Sequence, residues 1–189
     1  MKGLLRWLPL LLAVLMVPAC GGTKQAAEKA VAAAEAAYGQ IGVQANNLAP
    51  DQAKEIEAGL AEARANLTKG DSKAALAQAQ ELQSRIQTLA EGMPALLTKL
   101  QDDWKSLTTT VPGALSAVDR KLKDFGRPPA GMPGRAQFDA ASGKLTQLTG
   151  QWEEARALAA NGKLAQAVSS AEQVKEDAVK TLAEFQTGS

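Results

Sequence analysis

The chain has 189 residues, of which 21 are Lys or Arg, 20 are Asp or Glu and none is His. Without His, Ser-His-Asp and Cys-His catalysis are excluded within this chain, and the commonest general base near neutral pH is missing. The near-zero net charge leaves no basic surplus for phosphates, which argues against nucleic acid as a partner. A single cysteine allows neither an internal disulfide nor a thiolate zinc site. We therefore expect a non-enzymatic protein that needs no cofactor or metal.

Residues 1–19 have the features of an export signal. Lys2 and Arg6 supply a short positive region, and residues 7–17 form an apolar run interrupted by Pro9. A permanent membrane helix needs about 20 apolar residues, and this run is much shorter. The pattern therefore predicts a cleaved signal peptide over residues 1–19.

The end of this segment, Val17-Pro18-Ala19-Cys20, resembles the lipobox of bacterial lipoproteins. The resemblance implies that the Cys20 thiol carries diacylglycerol, that the chain is cut before Cys20, and that the new amino terminus also receives a fatty acid such as palmitate. It further implies a cell-envelope protein. Because Gly21 stands where an Asp would resemble an inner-membrane retention signal, the outer membrane is favoured if the source has two membranes. The alternative is a plain secretory signal with an incidental cysteine.

Alanine, Leu, Gln, Glu and Lys dominate the remaining chain, which favours helices over sheet. Residues 20–25 are expected to be a flexible tether, and a first helix is expected over about 24–45. Pro50 suits the first turn of a second helix ending near Lys69, where Gly70 can adopt the left-handed C-cap conformation. Asp71 then fits the N-cap of a third helix. The apolar seam of that third helix has heptad spacing, and it consists of Ala75, Ala79, Leu82, Ile86, Leu89 and Met93.

Proline positions suggest that the long apolar pattern is divided further. Gly92-Met93-Pro94 predicts a kink or short break, followed by a fourth helix to about residue 109. Residues 108–112 predict the start of a fifth helix, and the Gly- and Pro-rich stretch 126–134 predicts a linker. Two more helices follow, separated by Asn161-Gly162. The fold class is all-α: amphipathic helices in an antiparallel bundle or an elongated coiled-coil-like assembly.

The predicted domain organisation has an N-terminal helical hairpin region at 26–111 and a C-terminal helical region at 112–187, with one continuous bundle as the alternative. The segment 26–91 resembles an Ala-rich helical-hairpin domain of unknown function from bacterial envelope lipoproteins, through Ala49-Pro50 and the Gly70-Asp71 turn. Glu62-Ala63-Arg64-Ala65 also matches Glu154-Ala155-Arg156-Ala157. An old duplication and chance similarity between Ala-rich helices both explain that echo.

The candidate contact residues are Trp104 and Trp152. Each is in register with a Leu stripe, which is typical of core packing, but a tryptophan can also line a groove for a ligand or partner helix. The neighbouring carboxylates Asp102 and Asp103 point about 100° apart on a helix and indicate a solvated face. The linker 126–134 is a solvated connector or a proline-rich docking segment.

These features lead to three functional hypotheses. The leading one is an envelope lipoprotein, anchored through acylated Cys20, that acts as a non-enzymatic interaction or structural module with an envelope protein partner. The alternative is a helical binding module for a small apolar ligand or lipid, which an oversized cavity near Trp104 and Trp152 would favour. The third is an enzyme that uses only Asp, Glu, Lys or Ser.

Overall fold

The structure, a computed structural model, describes residues 22–187 and the side chains of residues 22–184. This part of the chain contains five helices and no strand, which confirms the all-α prediction. The signal peptide, the lipobox and Cys20 lie outside the described residues. The helices are α1 (Gly22–Leu48), α2 (Pro50–Lys69), α3 (Ser72–Phe125), α4 (Arg135–Ala160) and α5 (Leu164–Thr187).

The first helix is longer than the sequence pattern indicated. It begins at Gly22, so residues 22–25 are helical where a flexible tether was predicted. Lys24, Gln25 and Ala26 are good helix formers, and Lys24 Nζ lies 3.9 Å from Glu28 Oε1 in an (i, i+4) pair. These local preferences extend the helix towards the chain's amino-terminal end.

The predicted positions of Pro50 and of the turn after α2 are confirmed, but α1 continues to Leu48 rather than ending near residue 45. Ala49 alone separates α1 from α2, and Pro50 occupies the first turn of α2. At the other end Gly70 adopts the left-handed conformation, with φ of 84°, which only glycine adopts without strain. Asp71 Oδ1 accepts a hydrogen bond from the Ala74 amide at 3.1 Å, as an N-cap does.

A kink or a short break was predicted at residues 92–94, and the break is wrong, as is the predicted helix start near residue 112. Helix α3 continues through Pro94 and Pro112 for 54 residues. Both prolines are exposed, so each ring and its missing amide lie on the solvent side of the helix. Buried residues border both sites, with Met93 at 3% exposure and Val111 at 0%. Packing along this apolar seam outweighs the local cost of proline.

The second hairpin follows the predicted linker. Residues 126–134 are non-helical, as expected, and Arg135 Nη1 donates to the Pro128 carbonyl oxygen at 3.0 Å. Helix α4 ends at Ala160, and Gly162 takes a φ of 77° before α5 begins. The predicted stop at Asn161-Gly162 is therefore confirmed.

Helix α3 joins two three-helix units. The first unit packs α1, α2 and the amino-terminal half of α3, where Gln83 Nε2 donates to the Ala30 carbonyl oxygen at 3.0 Å. The second unit packs α4 and α5 against the carboxyl-terminal half of α3. The division at residues 111/112 therefore lies inside a continuous helix rather than at a break. Since a helix rises 1.5 Å per residue, α3 is about 80 Å long. Within residues 22–187, no helix combines the length and apolar character needed to cross a membrane.

Candidate functional site

The two predicted contact residues meet in the second unit. The ring centroids of Trp104 on α3 and Trp152 on α4 lie 5.5 Å apart, and the ring planes are tilted by 31°. Trp152 is 7% exposed, whereas Trp104 is half-buried. The two rings form an aromatic pair through which α4 packs against α3.

Neither tryptophan lines any of the four surface grooves described for residues 22–187. The two tilted rings instead pack against each other, which supplies the packing contact expected from the Leu stripes. A direct role of Trp104 or Trp152 in contacting a partner or ligand stays a prediction.

The largest of the four grooves lies where the two units meet. We call it the junction groove: it has a volume of about 1230 Å³ and is bordered by the α1–α2 turn, the middle of α3, and the facing parts of α4 and α5. Leu96 contributes from α3 and Gln151 from α4. Contacts between α1 and α5 close the assembly at this level. The groove thus exists only because α3 stacks one unit on the other.

The lining of the junction groove combines aliphatic and uncharged polar side chains. Leu48 and Val174 are buried, and Leu96 is half-buried. The amide and hydroxyl groups come from both units; they belong to Asn46, Asn47, Gln52, Gln151, Gln166, Ser169, Ser170 and Gln173.

Charged groups in the junction groove balance one another. Asp51 and Glu57 are acidic, whereas Lys54 and Lys163 are basic. The site therefore has little net field to attract an ion of either sign.

Gln151 has an unusual environment in this lining. Its Oε1 atom is buried, and among the described residues no donor lies within hydrogen-bonding distance of it. A desolvated acceptor without a partner costs free energy, and most buried polar atoms in proteins are paired. Gln151 is thus the lining residue that would gain most from an added donor.

A polar cluster connects α1 to α2 beside the junction groove. Tyr38 Oη donates to Glu57 Oε1 at 2.8 Å, and Asn46 Nδ2 donates to the same carboxylate oxygen at 3.1 Å. Burial, together with the nearby Glu57 carboxylate, raises the pKa of Tyr38 to about 12. The hydrogen bonds from Tyr38 and Asn46 lower the pKa of Glu57. The cluster fixes the wall of the groove that Asn46 and Glu57 form.

The acidic residues of the described chain are dispersed or paired with basic side chains. Residues 22–187 contain no group of three or more His, Cys, Asp or Glu that could hold a metal ion. Asp103 pairs with Lys99 at 2.6 Å, and Asp102 is exposed, so these neighbours lie on a solvated face. Elsewhere, Lys144 on α4 pairs with Asp177 on α5 at 3.2 Å, a contact between two helices of the second unit.

The junction groove was missed at the level of sequence because its walls come from residues about 100 positions apart. One local signal was present. Gln166, Ser170 and Gln173 recur on one face of α5, separated from the apolar seam, and such spacing marks a polar stripe on a helix.

Comparison with protein families, with curated proteins and with solved structures finds no match to this chain. A proposal for its function therefore depends on the residues and geometry described above. The resemblance to the lipobox adds the only indication of where the protein is placed.

Proposed function

We propose that this protein is a cell-envelope lipoprotein, held in the membrane through acylated Cys20, whose helical body acts as a non-enzymatic interaction and structural module. The observation that carries the proposal is the continuous 54-residue helix α3, which holds two three-helix units end to end. A rigid body of this length is suited to presenting a surface at a fixed distance from an anchor.

The position of the anchor supports this arrangement. Helix α1 begins at Gly22, two positions after Cys20, so the first unit lies next to the membrane once Cys20 is acylated. The contact between Gln83 and Ala30 places the start of α3 at the same end of the body as the start of α1. The far end of α3, at Phe125, then lies about 80 Å away. Two or three acyl chains on one residue give stable anchoring, whereas a single chain is marginal.

The alternative function, a carrier of a small apolar ligand, would need an apolar cavity beside Trp104 and Trp152. The two rings instead pack against each other, and the junction groove mixes aliphatic side chains with charged side chains and amides. These observations favour the interaction module over the carrier. Gly21 after Cys20 favours the outer membrane, facing the periplasm, if the source has two membranes.

Crosslinking in the membrane tests the proposal. A photo-crosslinking residue replaces Gln147 in the second unit or Gln80 in the first, both of them exposed, and products are identified by mass spectrometry. Labelling with a palmitate analogue reports acylation, and Cys20→Ala is the matched control. We expect labelling of the wild type and one dominant envelope partner, both lost in Cys20→Ala. If Cys20 is not acylated, the proposed membrane anchor is wrong. If no specific partner is crosslinked, the proposed role as an interaction module is wrong.

A further inference from the structure

We propose that the junction groove binds an extended, uncharged peptide segment of a partner protein. The inference deepens the proposed function, on which it rests, because it assigns the chemistry of the partner and the place where it docks. Binding at the groove does not require the acyl anchor, so the two proposals can fail separately.

The size of the groove favours a peptide segment over a small molecule as the ligand. Pockets for drug-sized ligands measure about 300–1,000 Å³, whereas the junction groove has a volume of about 1230 Å³. The polar stripe from Gln166 to Gln173 spans two helical turns, or about 10 Å, which is the length of about three residues of an extended strand.

The polar lining matches the groups of a peptide main chain. Asn and Gln side chains each carry one acceptor oxygen and two donor hydrogens, so they pair with a peptide N–H and C=O together. Gln52 approaches from the first unit, whereas Gln166 and Gln173 approach from the second. Among the described residues no donor reaches the buried Oε1 of Gln151, and a peptide N–H supplies one when the Gln151 side chain turns towards the groove.

The remaining lining restricts the side chains of the segment. Leu48, Leu96 and Val174 are aliphatic members of the lining, which suits small or aliphatic side chains. The lining has two acidic and two basic residues, so a strongly charged segment gains nothing from them. Among the described residues no aromatic side chain lines the groove, and its aliphatic members therefore favour a peptide over a saccharide.

Selection from a displayed library of linear dodecapeptides tests the inference. The bait is the full processed chain, purified from membranes in detergent. Ser169→Trp serves for counter-selection, because Ser169 is exposed and lines the groove, so that a bulky ring there obstructs it. Ser116→Trp is the matched control, since Ser116 is exposed on α3 and lines none of the four grooves. Gln166→Trp is a second obstructing variant in case Ser169→Trp alters folding, which circular dichroism reports.

We expect peptides of low net charge that bind the wild type and Ser116→Trp equally, measured by fluorescence anisotropy. Ser169→Trp and Gln166→Trp should each weaken their binding at least tenfold. Three results would overturn the inference: no enriched peptide, equal binding to the obstructed variants, or binding of neutral oligosaccharides on a glycan array that Ser169→Trp abolishes. The last result would assign the groove to a saccharide. Because the bait is already purified, none of these results bears on acylation or on crosslinking in the membrane.

Discussion

Trp104 and Trp152 pack against each other with their ring centroids 5.5 Å apart, although 47 residues of chain separate them. The contact joins the carboxyl-terminal half of α3 to α4, and Trp152 is 7% exposed. Aromatic pairs of this kind contribute about 0.5–1.5 kcal/mol beyond the area that they bury. The pair therefore stabilises the second unit.

Truncation of the buried ring should destabilise the protein strongly. We expect Trp152→Ala to lower the free energy of unfolding by about 3–5 kcal/mol, because a large buried side chain is removed. Trp104→Ala should cost less, since Trp104 is half-buried. Urea unfolding followed by circular dichroism gives both values. The double variant should show a coupling of about 0.5–1.5 kcal/mol; additive single effects would mean that the two rings do not stabilise each other.

Local sequence signals predicted most of the fold, and tertiary packing decided the rest. Gly70, Asp71 and Asn161-Gly162 were recognisable because turn and cap chemistry depends on a few adjacent residues. Pro94 suggested a break because its local cost is visible in the sequence. The compensating contacts with other helices are not visible, so the continuity of α3 could not be predicted.

The candidate site was predicted only in part, for a related reason. Register with the Leu stripes placed Trp104 and Trp152 in the core, but their mutual contact depends on how α4 returns along α3. The junction groove depends on which helices face each other across the two units. In the sequence, Gln151 cannot be told apart from a surface glutamine. Only the assembled structure shows that its Oε1 atom is buried without a hydrogen-bond donor among the described residues.

Replacing the two prolines of α3 should stabilise the protein. Pro94 and Pro112 are exposed inside a continuous helix, where proline removes a backbone hydrogen bond. We expect Pro94→Ala and Pro112→Ala each to raise the free energy of unfolding by about 1–2 kcal/mol, a gain reduced by the greater freedom of Ala in the unfolded chain.

Thr109→Ala, at an exposed position of the same helix, is the matched control and should change the free energy by less than about 0.5 kcal/mol. Urea unfolding of the three variants in parallel provides the measurement. A loss of stability in either proline variant would show that α3 requires the proline at that position.

Because Tyr38 is the single tyrosine of the chain, its titration reports on the hydrogen-bonded cluster of Tyr38, Asn46 and Glu57 between α1 and α2. The pKa of Tyr38 is raised from an ordinary value of 10.0 to about 12. A raised folded-state pKa means that Tyr38 contributes stability that is fully present below pH 10 and is lost as the pH rises through about 12. Absorbance of the tyrosinate near 295 nm should therefore show a midpoint near pH 12 in the folded protein.

Glu57→Gln separates the two causes of this shift. It removes the carboxylate charge and leaves the burial of Tyr38, so the Tyr38 pKa should fall part of the way towards 10.0. Glu62→Gln, on the same helix, should leave the midpoint unchanged, because Glu62 pairs with Gln78 instead. A wild-type midpoint near pH 10 would contradict the hydrogen-bonded arrangement of Tyr38 and Glu57.

The isolated oxygen of Gln151 gives a prediction that joins stability to binding. Methionine has a similar length and no strong acceptor, so Gln151→Met removes the cost of an unpaired buried oxygen. We expect the free energy of unfolding of the free protein to rise by about 1 kcal/mol, measured by urea unfolding, because Oε1 has no donor among the described residues. Gln147→Met, exposed on the same helix, should change it by less than about 0.5 kcal/mol.

The same substitution should weaken binding of a groove peptide, because the N–H that would pair with Gln151 loses its acceptor. If Gln151→Met raises the free energy of unfolding and also lowers the affinity for the peptide, the unpaired oxygen of Gln151 takes part in binding. A simple packing defect would change the stability without changing the affinity. If Gln151→Met instead destabilises the free protein, Oε1 is already paired in solution, and Gln151 has no role in drawing a ligand into the groove.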